Sequence, residues 1–376
     1  MLLYLEIKNF QSFLDVNFSF LASNSLTNHL DHIYKINNNF SALKYALILG
    51  SNGSGKSTIN NALKSLIDIL INKKIKEKQK DNFNYTQSEN KKKYSSFRVF
   101  FNKLDKIYEY ILTLNFDSQL IINETLNEVS DDIKNIFINK NNGIKLSEYN
   151  DLYSELTNNI LSLSYRYNVV NSDLTKDINL ITLENYLKRY YEIDKLKLSD
   201  SSIEELLSYL PSVYHNLLDN KNLINKTLVL NLGERVFFYI NNVVKEVLVK
   251  PKDLAFYLRL KDMSDGFRRL FSICLTYFMM DNKVIFIDEI DKSLHYLITK
   301  KLINDLINFN IDKCNQLLIS AHFLALLKED IFRNDEIYFV NKFKGNSKVN
   351  SLIEYKTSKD IYNNYLLGRY GAIPKL

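Results

Sequence analysis

The sequence predicts an α/β fold, a mixed sheet with flanking helices that is interrupted by a mostly helical insert. A glycine-rich loop joins a short apolar run to a helical pattern near residue 50. Other apolar runs of strand length alternate with helical stretches, as in sheets covered by helices on both faces. Between residues 120 and 225 helical spacing dominates. We therefore expect residues 1–119 and 226–376 to form one α/β domain, with residues 120–225 as the insert.

The composition is that of a globular protein, with 46% hydrophobic and 24% charged residues among 376. This length exceeds one small core, which favours two domains or one domain with a large insert. No run of about 18 apolar residues is present, so we expect no membrane partner. Two cysteines do not make a disulfide framework, and a cytoplasmic location is expected. The net charge of +6 permits a nucleic-acid partner without requiring one.

Alternating apolar residues predict strands in both outer segments. Residues 3–7 and 14–20 alternate, and residues 97–101 and 107–114 form a predicted hairpin. Further strands are predicted at 227–232, 236–240, 284–287, 317–319, 337–340 and 352–355. In the expected insert, helical spacing begins near Leu152, and a helix is expected to end or kink at Pro211.

The glycine-rich loop is the strongest motif in the chain. It has the pattern G-x-x-x-x-G-K-[ST], and with the following threonine its residues are Gly50, Ser51, Asn52, Gly53, Ser54, Gly55, Lys56, Ser57 and Thr58. In such a P-loop, backbone N–H groups point at the β- and γ-phosphates of a nucleotide. Lys56 adds a positive charge, and the Ser57 hydroxyl can hold Mg²⁺. The apolar strand before the loop and the helical pattern after it argue against a chance glycine-rich turn.

Two acidic residues follow the predicted strand at 284–287. A buried strand that delivers Asp288 at its carboxyl end places a carboxylate near the P-loop Mg²⁺. Glu289, one residue later, can polarise an attacking water as a general base. The alternative is a pair of solvated acids at a strand end, and the presence of a P-loop in the same chain weakens it.

Two further motifs have a functional and a structural interpretation each. Ser264 and Gly266 precede an apolar helical stretch at 270–279 and can form an anion-binding helix N-terminus, or a plain serine N-cap. His322 follows the predicted strand at 317–319 and can contact a γ-phosphate, whereas a lone histidine is more often structural. The order of the motifs along the chain favours the functional interpretation of both.

In this order the motifs resemble the layout of an ABC-type ATPase. The chain resembles the RecF/OLD/SMC group, and most closely the stand-alone bacterial ATPases of restriction and abortive-infection loci. The resemblance depends on residues 5–13, 50–57, 264–271, 287–295, 320–322, 333–339 and 365–374. It leaves residues 120–225 unexplained.

Three positions depart from the pattern of this group. Gln11 stands where Arg or Lys is usual, Phe267 where Thr is frequent, and Tyr296 in place of a proline. None of them belongs to the P-loop or the acidic pair, so ATP hydrolysis is still expected. Gln87 is our candidate for the glutamine that senses the metal in such ATPases.

The resemblance implies a homodimer in which ATP is sandwiched between two copies of the chain. ATP and Mg²⁺ on one P-loop would be capped by Ser264 and Gly266 of the other copy. Asp288 would serve the metal, Glu289 would orient water, and His322 would contact the γ-phosphate.

Two functions remain open for such a dimer. One is the regulatory ATPase of a bacterial anti-phage defence system, which controls an effector such as a nuclease or toxin encoded nearby. The other is a RecF-like DNA-maintenance ATPase that clamps duplex DNA, with phosphate contacts from the basic stretches 73–80 and 91–93 unless these are solvated loops. A transporter subunit is disfavoured by the S-D-G-F-R sequence at 264–268. No nuclease motif is recognised, so any cleavage of nucleic acid is expected from a partner.

Overall fold

The structure is a computed structural model in which the chain divides into two compact units. The first unit comprises Met1–Tyr190 and Phe332–Leu376, and the second comprises Tyr191–Ile331. The structure describes residues 1–72, 75–84, 94–103, 105–129, 133–140, 143–146, 190–192, 222, 224–228, 231, 236–241, 246–251, 254–259, 262–279, 284–311, 314–355 and 360–371.

The described strands and helices are numbered in chain order. The strands are β1 (Leu2–Phe10), β2 (Phe13–Ser19), β3 (Ile33–Lys35), β4 (Ser41–Leu43), β5 (Tyr45–Leu49), β6 (Tyr94–Lys103), β7 (Lys106–Asn115), β8 (Leu120–Val129), β9 (Ile133–Lys140), β10 (Gly143–Leu146), β11 (Tyr190–Glu192), β12 (Val236–Asn241), β13 (Glu246–Pro251), β14 (Leu258–Arg259), β15 (Val284–Ile287), β16 (Gln316–Ala321), β17 (Ile337–Phe343) and β18 (Asn346–Ser351). The helices are α1 (Lys56–Asn72), α2 (Asp265–Met279), α3 (Tyr296–Phe309) and α4 (Ile361–Leu366).

The first unit is built on a long run of neighbouring strands in the order β10, β9, β8, β7, β6, β1, β2, β18, β17, β5. Most neighbours are antiparallel, but β18 is parallel to β2 and β17 is parallel to β5. Ile7 of β1 pairs with Val16 of β2 and Phe97 of β6, and Phe97 pairs with Leu112 of β7. The N-terminal strands and the hairpin that the alternating pattern predicts are therefore confirmed.

The core of the first unit lies where the apolar runs predict it. Every residue of β5 is buried, which is the expected burial of a strand covered on both faces. Helix α1 follows and buries Ile59, Ala62 and Leu66, which recur at helical spacing. The strand, glycine loop and helix therefore follow one another as the sequence predicts.

The second unit contains a parallel pair of buried strands, β15 and β16, with Val284 opposite Gln316 and Ile287 opposite Ile319. Helices α2 and α3 supply apolar side chains to its core, and the Tyr277 hydroxyl on α2 donates to the Leu306 carbonyl of α3 at 2.7 Å. A separate antiparallel sheet is formed by β12, β13 and β14. The strands predicted at 236–240, 284–287 and 317–319 are confirmed.

The expected boundary of the insert at residue 120 differs from the structure. Strand β8 begins at this residue and pairs with β7, with Leu112 opposite Glu124, and β9 and β10 continue the sheet. These strands carry many polar residues, so they lack the clear alternation that marks the N-terminal strands. The helical spacing after Leu152, Pro211, Gln87 and the basic stretch 91–93 lie outside the described residues.

Two other strand predictions are wrong. The prediction at 227–232 fails because residues 224–228 and 231 are helical, with Ile224 and Leu228 buried four residues apart. The prediction at 352–355 fails because β18 ends at Ser351 and Leu352–Glu354 forms a 3-10 turn. Short apolar patterns do not distinguish a strand from one helical turn, which explains both errors. Among the described residues, no helix has the length and apolar character needed to cross a membrane.

Candidate functional site

The P-loop lies in the first unit, between the end of β5 and the start of α1. Its backbone is folded by hydrogen bonds from Ser54 N to Ser51 O at 3.2 Å and from Thr58 N to Gly55 O at 3.0 Å. Gly55 has φ +112°, a conformation that residues with a side chain rarely adopt. At Gly50, a Cβ atom would overlap the Val340 carbonyl oxygen of β17. The loop is therefore shaped by glycines where backbone must approach backbone.

Lys56 is held inside this loop. Its side chain is 5% exposed, and Nζ donates to the carbonyl oxygens of Gly50 at 2.7 Å and Ser51 at 3.0 Å. A buried ammonium group is costly unless its charge is compensated, and these carbonyls supply partial compensation. A phosphate group would supply a full opposite charge. Lys56 is therefore placed to bind an anion at the mouth of the loop.

Some residues of the P-loop are exposed and others are buried. Ser57, at the second position of α1, is exposed, as are Asn52 and Gly53. The buried Ser54 Oγ has no hydrogen-bond partner among the residues that the structure describes. With the glycine cradle and Lys56, these groups fit a nucleotide phosphate with Mg²⁺, which prefers oxygen ligands.

Two serines that sequence reasoning missed form hydrogen bonds with P-loop residues. Ser347 Oγ donates to the Ser54 carbonyl at 2.5 Å and lies 2.8 Å from Ser12 Oγ. Ser12 Oγ lies 3.1 Å from Thr58 Oγ1, so the buried Thr58 hydroxyl joins this chain. Ser12 lies in the turn between β1 and β2, and Ser347 is the second residue of β18. No local sequence pattern relates the two. The chain of hydroxyls therefore links the β1–β2 turn and strand β18 to the loop.

The acidic pair lies in the second unit, directly after β15. The Ser320 hydroxyl donates to Asp288 Oδ1, and Ser320 Oγ accepts from the Glu289 backbone N–H at 2.7 Å. Asp288 is 9% exposed, and Ser320, near the end of β16, is fully buried. Ser320 therefore fixes both acidic residues relative to the neighbouring strand. The only sequence signal for Ser320 is its position directly before Ala321-His322.

The structure brings the side chains of Glu289 and His322 together. His322 Nε2 lies 3.4 Å from Glu289 Oε1, and Lys292 Nζ lies 3.5 Å from Glu289 Oε2. Glu289 has φ +47°, a left-handed conformation that costs energy in a residue with a side chain. A strained residue persists only where the surrounding structure maintains its conformation, and such residues are frequent at functional sites.

The charge of Glu289 is set by opposing effects. Burial raises the pKa of its carboxyl, but the hydrogen bond with His322 and the charges of Lys292 and His322 lower it more. The net result is a pKa below the ordinary value. Glu289 therefore stays ionised at neutral pH and can accept a hydrogen bond from water.

His322 is held by an aspartate that sequence reasoning did not single out. Asp291 Oδ2 accepts from the backbone N–H of His322 at 2.6 Å and of Phe323 at 2.8 Å. Asp291 is 7% exposed and follows Glu289 by two residues. The turn after β15 therefore fixes the turn after β16, and this positions the imidazole beside Glu289.

The helix α2 begins next to the acidic pair. Ser264 Oγ accepts from the Phe267 backbone N–H at 3.3 Å, which is the geometry of an N-cap. A Cβ atom at Gly266 would lie 2.7 Å from the Ser293 carbonyl oxygen, so glycine permits close packing there. The Arg269 guanidinium donates to the Asp288 carbonyl and lies 3.5 Å from that of Glu289. Arg269 is a further connection that the motifs did not predict.

The structure thus groups the predicted site residues by unit. The P-loop residues lie together in the first unit, and Ser264, Gly266, Asp288, Glu289 and His322 lie together in the second. In the first unit, Ser347 forms a hydrogen bond with the P-loop. In the second unit, Ser320, Asp291 and Arg269 form hydrogen bonds with the residues after β15 and β16.

Comparison with known proteins agrees with these motifs. The family model described as "AAA domain, putative AbiEii toxin, Type IV TA system" matches residues 46–328, more than half of the chain. The chain is similar to the SMC head in a crystal structure of that head bound to the C-winged helix domain of ScpA. The sequences are 15% identical with a TM-score of 0.51, and the match covers 93% of this chain and 97% of the other.

A second similar structure is an SMC head domain from Thermotoga maritima, with 14% identity, a TM-score of 0.48, and coverage of 93% of this chain and 98% of that one. No curated protein matches the sequence. The expected fold, a mixed α/β sheet of the P-loop type, is confirmed, and so is the resemblance to ABC-type ATPases of the SMC, RecF and OLD group.

Proposed function

Because this chain belongs to the family described as "AAA domain, putative AbiEii toxin, Type IV TA system", we propose that it is an ATP-hydrolysing molecular switch that dimerises on ATP. The observation that carries the proposal is the pairing of Glu289 with His322 at the end of two parallel strands, in a chain whose P-loop holds Lys56 among its carbonyl groups. The P-loop with Lys56 is suited to bind phosphate, and the Glu289–His322 pair is suited to orient water.

In the first unit, the P-loop would bind the phosphates of ATP. Lys56 would exchange its carbonyl partners for phosphate oxygens, and the exposed Ser57 hydroxyl would coordinate Mg²⁺. When bound, Mg²⁺ neutralises charge on the β- and γ-phosphates. Ser12 and Ser347 would keep the loop in this shape, because their hydroxyls connect to its backbone and to Thr58.

In the second unit, the residues after β15 and β16 would serve hydrolysis. The resemblance assigns Asp288 to the metal, Glu289 to the attacking water and His322 to the γ-phosphate. The ionised carboxylate of Glu289 supports this role, because it can accept a hydrogen bond from water and align it for attack. Ser320 and Asp291 would hold the acid and the imidazole in place.

We infer dimerisation from the resemblance to ATPases in which ATP is sandwiched between two ATPase domains. Ser264 and Gly266 at the start of α2 would cap ATP that is bound to the P-loop of a second copy. The N-terminus of a helix as long as α2 favours a negative charge, and Ser264 already lies at its cap. Closure on ATP and release after hydrolysis would then form a two-state switch.

The substitution Lys56→Ala tests this arrangement. It should abolish ATP binding and ATP-dependent dimerisation together, measured by calorimetry and by light scattering on the same preparation. Lys348→Ala, which removes an exposed lysine from β18, serves as the matched control and should leave both unchanged. Dimerisation on ATP that survives in Lys56→Ala would show that the P-loop is not part of the dimer switch.

For the biological output, we favour the regulatory ATPase of an anti-phage defence system, which controls an effector nuclease or toxin. The family description names a putative AbiEii toxin and a type IV toxin–antitoxin system, which supports a role in such a system. The test is co-expression with each neighbouring gene product: an effector whose toxicity changes when Glu289 is substituted would support it. Toxicity that is independent of this chain for every neighbour would contradict it.

The alternative, a DNA-maintenance ATPase that binds duplex DNA, has weaker support. In the described part of the basic stretch 73–80, Lys76 Nζ lies 3.2 Å and Lys78 Nζ 3.7 Å from Asp68, and Lys80 pairs with Glu77. These lysines are thus partly neutralised within the chain. Duplex binding that strengthens with ATP and falls steeply with salt would favour this alternative.

A further inference from the structure

We propose that His29, Asp31 and His32 form a binding site for a divalent transition-metal ion, best suited to Zn²⁺. One ligand atom from each of these residues lies within 4.8 Å of the others. The cluster belongs to the first unit and is separate in sequence from every nucleotide-binding motif. It therefore adds a site that the proposed ATPase function neither uses nor requires.

The local backbone gathers the three side chains. His29 precedes the 3-10 turn Leu30–His32, and the His32 backbone N–H donates to the His29 carbonyl at 3.1 Å. The imidazole rings of His29 and His32 lie with their centres 4.9 Å apart and their planes tilted by 31°. Two imidazoles and a carboxylate from four consecutive residues thus converge within a single turn.

This turn is fixed by the rest of the first unit. His29 has φ +47°, and a residue with a side chain holds this conformation only when its surroundings determine it. The Arg333 guanidinium supplies one such restraint, because Nη1 donates to the Asn28 carbonyl at 2.6 Å. The Lys44 backbone N–H supplies another, donating to the His32 carbonyl at 2.9 Å. The backbone of the turn that carries the three ligands is therefore preorganised.

His32 has the surroundings of a metal-binding histidine. It is 2% exposed, and its Nδ1 atom lies 3.1 Å from both carboxylate oxygens of the fully buried Glu336. Metal-ligating histidines regularly donate their second ring nitrogen to a carboxylate, which orients the ring and increases its basicity. The Tyr45 ring, 4.6 Å away, packs against the imidazole edge. This arrangement leaves Nε2 as the atom that would face the metal.

The types of ligand indicate the type of metal. Two imidazole nitrogens and one carboxylate oxygen suit Zn²⁺, which accepts three protein ligands and completes its coordination with water. Mg²⁺ and Ca²⁺ prefer sites built from oxygen alone. The half-exposed His29 and exposed Asp31 can adjust to the ion, whereas His32 is fixed.

A bound ion would stabilise the part of the first unit that carries the P-loop. Glu336 directly precedes β17, whose Ile337 pairs with Leu47 of β5, the strand that leads into the P-loop. The metal would therefore connect the turn at His29–His32 to this pair of strands through the Glu336 carboxylate. We expect a structural effect, seen as resistance to unfolding, with no direct part in hydrolysis.

The test uses the full chain after chelation and dialysis, titrated with Zn²⁺ by calorimetry in excess Mg²⁺ and without nucleotide. Excess Mg²⁺ occupies sites that consist only of oxygen ligands. The wild-type chain should bind one equivalent of Zn²⁺ more tightly than any other, and Zn²⁺ should raise its Tm. His29→Ala and Asp31→Asn should each weaken this binding at least about tenfold and remove the rise in Tm.

His295→Ala is the matched control, because it removes an exposed imidazole outside the cluster. It should keep the tight equivalent of Zn²⁺ and the rise in Tm. His29 and Asp31 are not buried, so their variants should fold, and circular dichroism checks this. If folded His29→Ala and Asp31→Asn bind Zn²⁺ as the wild type does, or if the wild type binds none, the proposal is overturned.

Discussion

His322 Nε2 lies 3.4 Å from Glu289 Oε1, which joins the residue after β16 to the second residue after β15. The two strands are parallel and in register, with Ile287 opposite Ile319, so both side chains leave the same edge of the sheet. In the folded chain, the imidazole therefore influences the charge of the carboxylate. This relationship can be tested by changing either residue.

The first prediction concerns pH. The hydrogen bond and charge of His322 lower the pKa of Glu289 against the opposing effect of burial, so His322→Ala should raise that pKa. A carboxylate that acts on water is active only when ionised, so the acid limb of the kcat profile should move to higher pH. His295→Ala should leave the profile in place. An unchanged acid limb in an active His322→Ala variant would contradict the coupling.

The same pairing contributes to stability in one pH range. Because the pKa of Glu289 is lowered in the folded chain, its contribution is present above the pKa of the unfolded state. It is lost as the pH falls through the folded pKa. Chemical unfolding at neutral and acidic pH should therefore show a smaller difference between wild type and Glu289→Gln at the acidic end. Glu289 is 38% exposed, so solvent screening should keep the difference small.

The second prediction concerns the support of the P-loop. Ser347→Ala removes the hydroxyl that donates to the Ser54 carbonyl, which would leave a buried acceptor unpaired at a cost of about 1–3 kcal/mol. It should lower the free energy of unfolding by that amount and also weaken nucleotide binding. Ser351→Ala, at the end of the same strand, is the control. Nucleotide affinity equal to the wild type in Ser347→Ala would show that this contact does not shape the loop.

The third prediction compares two glycines of the same loop. Gly55 has φ +112°, and a Cβ atom there would meet Ser347 and Ser12, whereas Gly53 has φ +72° and open space around it. Alanine tolerates the left-handed region of Gly53 better than the conformation of Gly55. Gly55→Ala should therefore weaken nucleotide binding far more than Gly53→Ala, as calorimetry can measure. Equal losses would mean that the contacts behind the loop are unimportant.

The fourth prediction concerns a buried ion pair in the first unit. Arg333 is fully buried, and its guanidinium donates to both carboxylate oxygens of Asp335 at 2.9 Å. Arg333→Met would leave the carboxylate buried without its partner and should lower the free energy of unfolding by about 3–5 kcal/mol. Arg369→Met removes an arginine bound to the Asn364 amide and should cost less than about 1.5 kcal/mol. Equal effects in denaturant titrations would contradict this ranking.

Much of the fold and part of the site could be predicted from local sequence. The P-loop is contiguous, and its neighbouring strand and helix have their own apolar patterns, so Gly50 to Thr58 required no knowledge of the fold. Glu289 and His322 were found because each follows an apolar run. In contrast, β8, β9 and β10 have mixed polar faces and were assigned to the insert, since alternation is weak in such strands.

The supporting residues could not be predicted, because the topology brings them together. Ser12 and Ser347 are far apart in sequence and meet only because β18 lies beside β2, with Ser347 opposite Phe13. Ser320 and Asp291 act across the β15–β16 pair in the same way. Local patterns show which residues can do chemistry, whereas the sheet order determines which hydroxyls and carboxylates hold them in position.

The most direct test of the account is the oligomeric state of Glu289→Gln with ATP and Mg²⁺. The variant keeps the size of the side chain but cannot act as a base, so bound ATP should persist. Light scattering should then give twice the 44.2 kDa mass of one chain, with little ATP turnover. Glu329→Gln, which changes a surface carboxylate paired with Lys300, should behave as the wild type. A Glu289→Gln chain that stays monomeric with ATP, or hydrolyses it at the wild-type rate, would contradict the account.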